Sequence, residues 1–424
     1  MQGQAQEMKR GGLFLPLLFI LLMVLPSAVA AGNAPFLWGP YVTGTDGTTA
    51  VVSWKTAEPS DGTVAYATAE EFAKAGEYAH TIADPSGVTL HHVRLTDLTA
   101  GTTYLYAVTA GDARSQDCRF MTAGSGPFTF AVYSDTRGQV PLFSQMERHR
   151  LVADRIAEEE NLSFVIHCGD FVTFGNDLAE WDEYFAAAKG MLANTTLVPA
   201  LGNHEGNRTP YYDAFGVPEW YSYEWGDAHV VVLDSNDWAK GRIDEETAWL
   251  EADLARSSGP TFVAFHHPVF SSNERHWGGD RVLQREWAPL FDRYNVTAVF
   301  NGHVHAYERY AVNGTPYFVI PCGGEELFPL AEKKAQGFEN GLDHTLAYLR
   351  VSVDGERVTV STVPVARISG DNREVVSLYP RNSTFETIEM TPKTERENAA
   401  QAPLSPFCAC AAAGMVALWM KKER

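Results

Sequence analysis

Five short apolar runs in this chain of 424 residues end in the same way, and that repetition constrains its fold more than any other feature. Phe128 to Val132 leads into Tyr133-Ser134-Asp135-Thr136-Arg137, and Phe164 to Ile166 into His167-Cys168-Gly169-Asp170. Leu197 to Leu201 leads into Gly202-Asn203-His204-Glu205, Thr261 to Phe265 into His266-His267-Pro268, and Val296 to Phe300 into Asn301-Gly302-His303-Val304-His305. β-Branched and aromatic runs of this kind are the pattern of strands buried on both faces. If their C-terminal ends share one edge, two Asp, one Asn and at least three His meet there.

These side chains suit a centre of two metal ions. A carboxylate can bridge two cations, an amide oxygen is a neutral hard ligand, and imidazole suits zinc, iron or manganese. Glycine before Asp170, Asn203 and His303 lets the backbone turn sharply and come close to a ligand. A lone His-x-His pair such as His303 and His305 is more often two exposed loop histidines; the five segments in one order give it weight.

With these blocks the chain resembles the calcineurin-like metallophosphoesterases, and most closely their purple acid phosphatase branch. The family pattern runs Asp-x-Gly or Asp-x-His, Gly-Asp, Gly-Asn-His-Glu or -Asp, His-x-Pro and Gly-His-x-His; here it reads Asp135-Thr136-Arg137, Gly169-Asp170, Gly202 to Glu205, His266 to Pro268 and Gly302 to His305. The continuation Ala306-Tyr307-Glu308-Arg309 matches the purple branch in particular. The resemblance implies two packed β-sheets flanked by helices, with two divalent metal ions (zinc, manganese or iron) at the sheet edge. It puts Asp135, Asp170 and His305 on the first metal, has Asp170 bridge to the second, and completes the second with Asn203, His266 and His303. His267 is then a flanking residue or a buried, hydrogen-bonded histidine.

Two positions depart from the family. The purple enzymes have a tyrosine three residues after the bridging aspartate, where its phenolate binds ferric iron; this chain has Thr173. The broader family offers a histidine two residues after the first aspartate; this chain has Arg137, which cannot ligate a metal. The first site is therefore short of one protein ligand, to be completed by water, substrate or a side chain not foreseen. Arg137 could grip phosphate oxygens with its planar fork or pair with a carboxylate such as Asp135. The phosphate role is preferred, since an unsatisfied guanidinium beside two dications would be repelled.

The implied reaction is hydrolysis of a small-molecule phosphate monoester, by in-line attack of hydroxide that two cations make available near neutral pH. His204, next to Asn203, is the candidate acid for the leaving group. His276, in the polar stretch Ser271 to Gly279, either orients substrate or is an exposed loop histidine. No Gly-x-Ser-x-Gly, P-loop or dinucleotide fingerprint occurs, and Cys168 reads as a small buried thiol rather than a nucleophile. A phosphodiesterase or nucleotidase of the same superfamily is the alternative. A non-catalytic surface binding protein is the rival from another class; the joint presence of Asp135, Asp170, Asn203, His204, His266, His303 and His305 speaks against it.

The remaining sequence predicts a multidomain chain, an all-β fibronectin type III-like sandwich followed by an α/β metallophosphoesterase domain. Residues 1–30 have the layout of a signal peptide, with Lys9 and Arg10 before the apolar run Leu13 to Leu25, then Ala28-Val29-Ala30. Residues 33–124 show short alternating runs broken by Gly, Asp and Ser, the pattern of a small sandwich. Trp54 and the stretch Leu95 to Tyr106 give it the look of the fibronectin type III domain that plant purple phosphatases carry in this position. In residues 127–390, strand-like runs alternate with amphipathic segments such as Ser144 to Glu160 and Glu245 to Ala255. The late runs Tyr317 to Ile320, Leu349 to Val353 and Val358 to Val360 are expected to close the second sheet of this domain.

Residues 391–402 read as a linker. Residues 403–424 form an apolar tail with the basic end Lys421-Lys422-Glu423-Arg424, the layout of a membrane anchor or sorting signal. A secreted or extracellular protein tethered to the cell surface follows. The net charge of −20 and pI near 5.0 disfavour nucleic acid as a partner, because phosphate backbones need basic surface. Five cysteines are too few and too scattered to imply a disulfide framework.

Overall fold

A computed structural model describes residues 36–390 of the chain. The expected signal peptide, the linker and the apolar tail lie outside the described residues. No described helix is long and apolar enough to cross a membrane.

The first part is built from β1 (Phe36–Thr43), β2 (Ala50–Thr68), β3 (His80–Leu95), β4 (Thr103–Ala110), β5 (Ala113–Arg114) and β6 (Cys118–Met121). The pairing of β2 with β3 slips between Lys55 and Gly62. Before the slip β2 pairs with β1, and after it with β4, so one bent strand serves both layers of the sandwich. Trp54 sits inside the bend, fully buried and stacked on His91 at 4.5 Å. A Cβ at Gly62 would collide with its ring, so this strand position has to be glycine.

The second part contains two sheets. In the first, β7 (Phe128–Tyr133), β8 (Leu162–His167) and β9 (Thr196–Pro199) run parallel. The second comprises β10 (Tyr221–Trp225), β11 (Ala228–Val232), β12 (Thr261–Ala264), β13 (Ala298–Asn301), β14 (Tyr307–Val312), β15 (Thr315–Val319) and β16 (Phe338–Leu342). Its strand order is β10-β11-β12-β13-β15-β14-β16, with β11, β12, β13 and β15 parallel. Parallel neighbours need long crossovers, and the helices Leu178–Ala187 and Ile243–Leu254 lie in two of them. Phe130 of the first sheet meets Phe262 and Phe300 of the second edge-on, at 5.1 and 6.1 Å, so the two sheets pack face to face.

The chain continues as β17 (Thr345–Asp354), β18 (Arg357–Ile368), β19 (Val375–Leu378) and β20 (Glu386–Met390). The expectation that the late runs close one sheet together is corrected. Tyr317 to Val319 belong to β15 in the second sheet, whereas β17 pairs antiparallel with β7 and brings β18 into the first. The physical reason is the open edge of β7, whose unpaired backbone groups β17 covers. On the other side, β9 touches β1 through one parallel bridge, Val42 to Thr196, so the first sheet runs on into the sandwich. The ends of β7, β8, β9, β12 and β13 carry the five chemical segments to one edge.

Candidate metal centre

Three of the five segments turn abruptly as they leave their strands. Asp135, Asp170, His303 and His305 all have left-handed backbones, with φ of 58°, 60°, 77° and 55°. Such conformations cost on the order of 1–3 kcal/mol each and persist where the surroundings fix them. The loops are also in backbone contact, for a Cβ on Gly169 would lie 2.6 Å from the Cα of Gly202.

Four donor atoms converge in one place. His266 Nε2 lies 2.9 Å from Asn203 Oδ1, 3.1 Å from His303 Nδ1 and 3.3 Å from Asp170 Oδ2. Its other nitrogen, Nδ1, is 2.9 Å from the Cys168 carbonyl, which can only accept, so the proton sits there. Two imidazole nitrogens and two acceptor oxygens thus face one another. A proton satisfies one such contact; a divalent cation satisfies all four. Burial pushes His303 well below the ordinary imidazole range, and the His266 charge adds to it, so its ring is a neutral donor. For His266 burial acts in the same direction, but the Asp170 and Asp135 carboxylates outweigh it and hold the ring at about 9.

A second group lies alongside. Asp135, His305 and Glu325, all buried, have ligand atoms within 4.8 Å of one another, and so do Asp135, Asp170 and His266. His305 Nε2 is 3.5 Å from Asp135 Oδ1 and 3.1 Å from Glu325 Oε2. Asp170 therefore stands between the two groups. Glu325 was not foreseen from sequence. Arg137 pairs with it through Nη2, so the carboxylate-pairing alternative is the one formed, with Glu325 rather than Asp135 as partner. Thr173 is turned away, its hydroxyl donating to the Gly138 carbonyl at 3.2 Å.

Buried groups behind the centre hold these side chains. Glu205 accepts from the amides of Asp170, Phe171, Val172 and Gly202 at 2.8–3.3 Å, a nest that fits the ionised carboxylate. Burial, with the Asp170 charge, opposes this and pushes Glu205 up to about 8. Burial would also raise Asp170, but His266 and His204 hold it well below the carboxylate range. The nest joins the loops after β8 and β9 into one body.

Around the rim, His204 Nδ1 is 2.9 Å from the Thr173 carbonyl, which leaves Nε2 facing Asp170 Oδ2 at 3.9 Å. The His267 amide donates to Ser235 Oγ at 2.8 Å and its ring lies 4.4 Å from that of His303, so it is both hydrogen-bonded and part of the histidine group. His276 is exposed, with its ring 4.5 Å from that of His303. A cavity of about 220 Å³ opens here, lined by His267, Arg275, His276, Trp277, Asp280 and His303. Glu308 secures its wall: buried, it accepts from the Ser272 amide at 2.8 Å and the Tyr310 hydroxyl at 2.5 Å. Cys118, Cys168 and Cys322 are free and buried, and burial raises the Cys168 thiol well above its ordinary range, which suits packing and not nucleophilic attack.

Comparison with known proteins gives this geometry a context. The calcineurin-like phosphoesterase family matches residues 128–307, and the purple acid phosphatase N-terminal domain matches residues 40–122. An uncharacterized protein of Mycobacterium tuberculosis is 28% identical over 270 residues, covering 52% of this chain and 51% of its own. The phosphoenolpyruvate phosphatase of Allium cepa is 25% identical over 325 residues, covering 68% and 65%. The chain thus spans about half the length of the first relative and just under two thirds of the second. A purple acid phosphatase from yellow lupin seeds (Lupinus luteus) shares the fold with a TM-score of 0.67 at 16% identity, over 87% of this chain and 77% of its own. With the metal-type donor sets at the edge shared by the two sheets, these matches identify residues 128–307 as a calcineurin-like phosphoesterase domain and residues 40–122, before it, as a purple acid phosphatase N-terminal domain.

Proposed function

We propose that this chain is a binuclear metal-dependent phosphatase that hydrolyses small-molecule phosphate monoesters. The observation that carries the reading is the set of Asn203 Oδ1, Asp170 Oδ2 and His303 Nδ1 around His266 Nε2, a grouping that a divalent cation reconciles. Asp135 and His305 would hold the first metal, Asn203, His266 and His303 the second, and Asp170 both. A metal pair in such a site polarises the phosphoryl group and supplies hydroxide near neutral pH.

The chain's own residues then have distinct tasks. Glu205 keeps the Asp170 loop in register. His204 presents Nε2 on the accessible side of the centre and delivers a proton to the leaving oxygen. The cavity beside His276 and Trp277 receives the organic part of the ester. Relatives named as phosphatases support a monoester substrate. The signal-peptide and tail patterns support a secreted protein held at the cell surface; deleting residues 403–424 should then release active protein into the medium.

The test pairs metal quantification with a panel of phosphate mono- and diesters, on the intact chain and on Asp170→Asn. Two metals per chain, monoester preference and loss of both metal and turnover in the variant are expected. Diester preference would replace the substrate assignment. Metal-free, inactive protein would leave the surface-binding rival.

A further inference from the structure

The first metal position has two protein ligands of its own, Asp135 and His305, and the shared Asp170. Thr173 stands where the resembling enzymes have tyrosine, and its hydroxyl is committed to Gly138. Among the described residues, Glu325 reaches this position. We infer that Glu325 is a protein ligand of the first metal, which rests on the binuclear reading above.

Four observations carry the inference. The Glu325 side chain is 1% exposed, and its Oε2 is 3.1 Å from His305 Nε2, the same nitrogen that faces Asp135 Oδ1. Oε1 is taken up by the Arg137 guanidinium, whereas Oε2 is buried, accepts no hydrogen bond and faces His305 Nε2, so the Arg137 contact alone does not satisfy the group. Buried acceptors left in that condition are costly and call for an explanation.

The loop is also built to bring Glu325 here. Gly323 N donates to the Ser134 carbonyl at 2.8 Å and Glu325 N to the Asp135 carbonyl at 3.1 Å, laying the chain along the end of β7. A Cβ on Gly324 would lie 2.9 Å from His149 N, so the glycine allows this close approach. Finally, three carboxylates, Asp135, Asp170 and Glu325, are buried within this small volume. Arg137 and the histidines offset part of that charge. A divalent cation offsets the rest. A carboxylate is moreover a hard, anionic ligand, suited to divalent zinc, manganese or iron where the phenolate is missing.

The rival is a structural ion pair between Glu325 and Arg137 with no role in metal binding. The test is titration of chelator-stripped protein with zinc, followed by calorimetry and elemental analysis. Wild type, Glu325→Gln and, as a control for the other position, His303→Ala are compared. Wild type should take two zinc ions; Glu325→Gln should keep one near wild-type affinity and bind the other at least ~100-fold more weakly, beyond the 10–100-fold typical of groups behind the ligands. His303→Ala should weaken the other site. Two zinc ions at unchanged affinity in Glu325→Gln would overturn the inference and leave the binuclear reading standing. Fewer than two in wild type would overturn both. Circular dichroism establishes that the variant is folded; if it is not, Glu325→Asp, which keeps the charge beside Arg137, carries the comparison, and unchanged zinc affinity there would overturn the inference equally.

Discussion

His204 and Asn203 are adjacent in sequence yet face different tasks. Asn203 turns its oxygen to His266, while His204 commits Nδ1 to a carbonyl and leaves Nε2 on the accessible side of Asp170. That division predicts a separable defect. His204→Ala should retain its metals and lose ~10²- to 10⁴-fold on substrates with poor leaving groups, the usual contribution of a positioned acid. Activated aryl phosphates should suffer less; equal losses on both would remove His204 as the donor. Thr173 carries a second prediction at this scale. The colour of the resembling enzymes comes from tyrosine phenolate on ferric iron. Here the hydroxyl at that position points to Gly138, and the nearest unforeseen donor is a carboxylate. The purified protein should therefore be colourless with divalent metals, and a visible absorption band scaling with iron content would contradict this.

At the scale of elements, the site was legible wherever an apolar run passed directly into a metal-type side chain, as at Asp135, Asp170, Asn203, His266 and His303. Glu325 escaped because β15 is followed by Ile320-Pro321-Cys322-Gly323-Gly324, which delays the acid and hides the strand end. The placement of β17 escaped for another reason. Which sheet a strand joins is decided by an open edge far away in sequence, and no local pattern records it. The segment Ala306 to Arg309 matched as a signature, yet its role is support: Glu308 ties the rim at Ser272, and Arg309 pairs with Glu386. A similar tie joins β11 to its neighbours. His229 contacts Asp253 of the helix Ile243–Leu254 and Glu224 of β10, each at 2.7 Å, and Arg256 also pairs with Asp253. Burial lowers the His229 pKa, but the bonds and charges of Asp253 and Glu224 outweigh it and raise it overall. A raised folded-state value means the ionised histidine contributes stability that is fully present below its unfolded pKa of about 6.5 and lost as pH rises through the folded value. Denaturant unfolding across that window should show stability falling with pH in wild type. His229→Gln should show a shallower fall, because His266 and Glu205, also raised, keep their share of it, and an identical slope in both would remove His229 as a contributor.

For the whole molecule, the question is whether the sandwich is an appendage or part of the catalytic body. Trp38 stacks on Phe185 at 4.4 Å and donates from Nε1 to Asp182, which also pairs with Lys55. Tyr41 and Tyr106 donate to the carbonyls of Ala214 and Ala193 at 2.5 and 2.9 Å. Phe185 in turn touches Tyr184, whose ring lies edge-on to His167 at the end of β8, three residues before Asp170. The joint is therefore aromatic, buried and continuous with the packing beneath the metal loops. Separable domains usually meet through polar surfaces and melt independently. This chain should instead unfold in one calorimetric transition. Trp38 is 3% exposed, so Trp38→Ala should cost about 3–5 kcal/mol, as for other buried aromatic truncations. That loss should lower the midpoint of the whole transition, metal loops included, and activity should disappear at the same temperature. Two resolved transitions in wild type, or a variant in which only the sandwich melts earlier while hydrolysis persists, would show that the two parts fold and function apart.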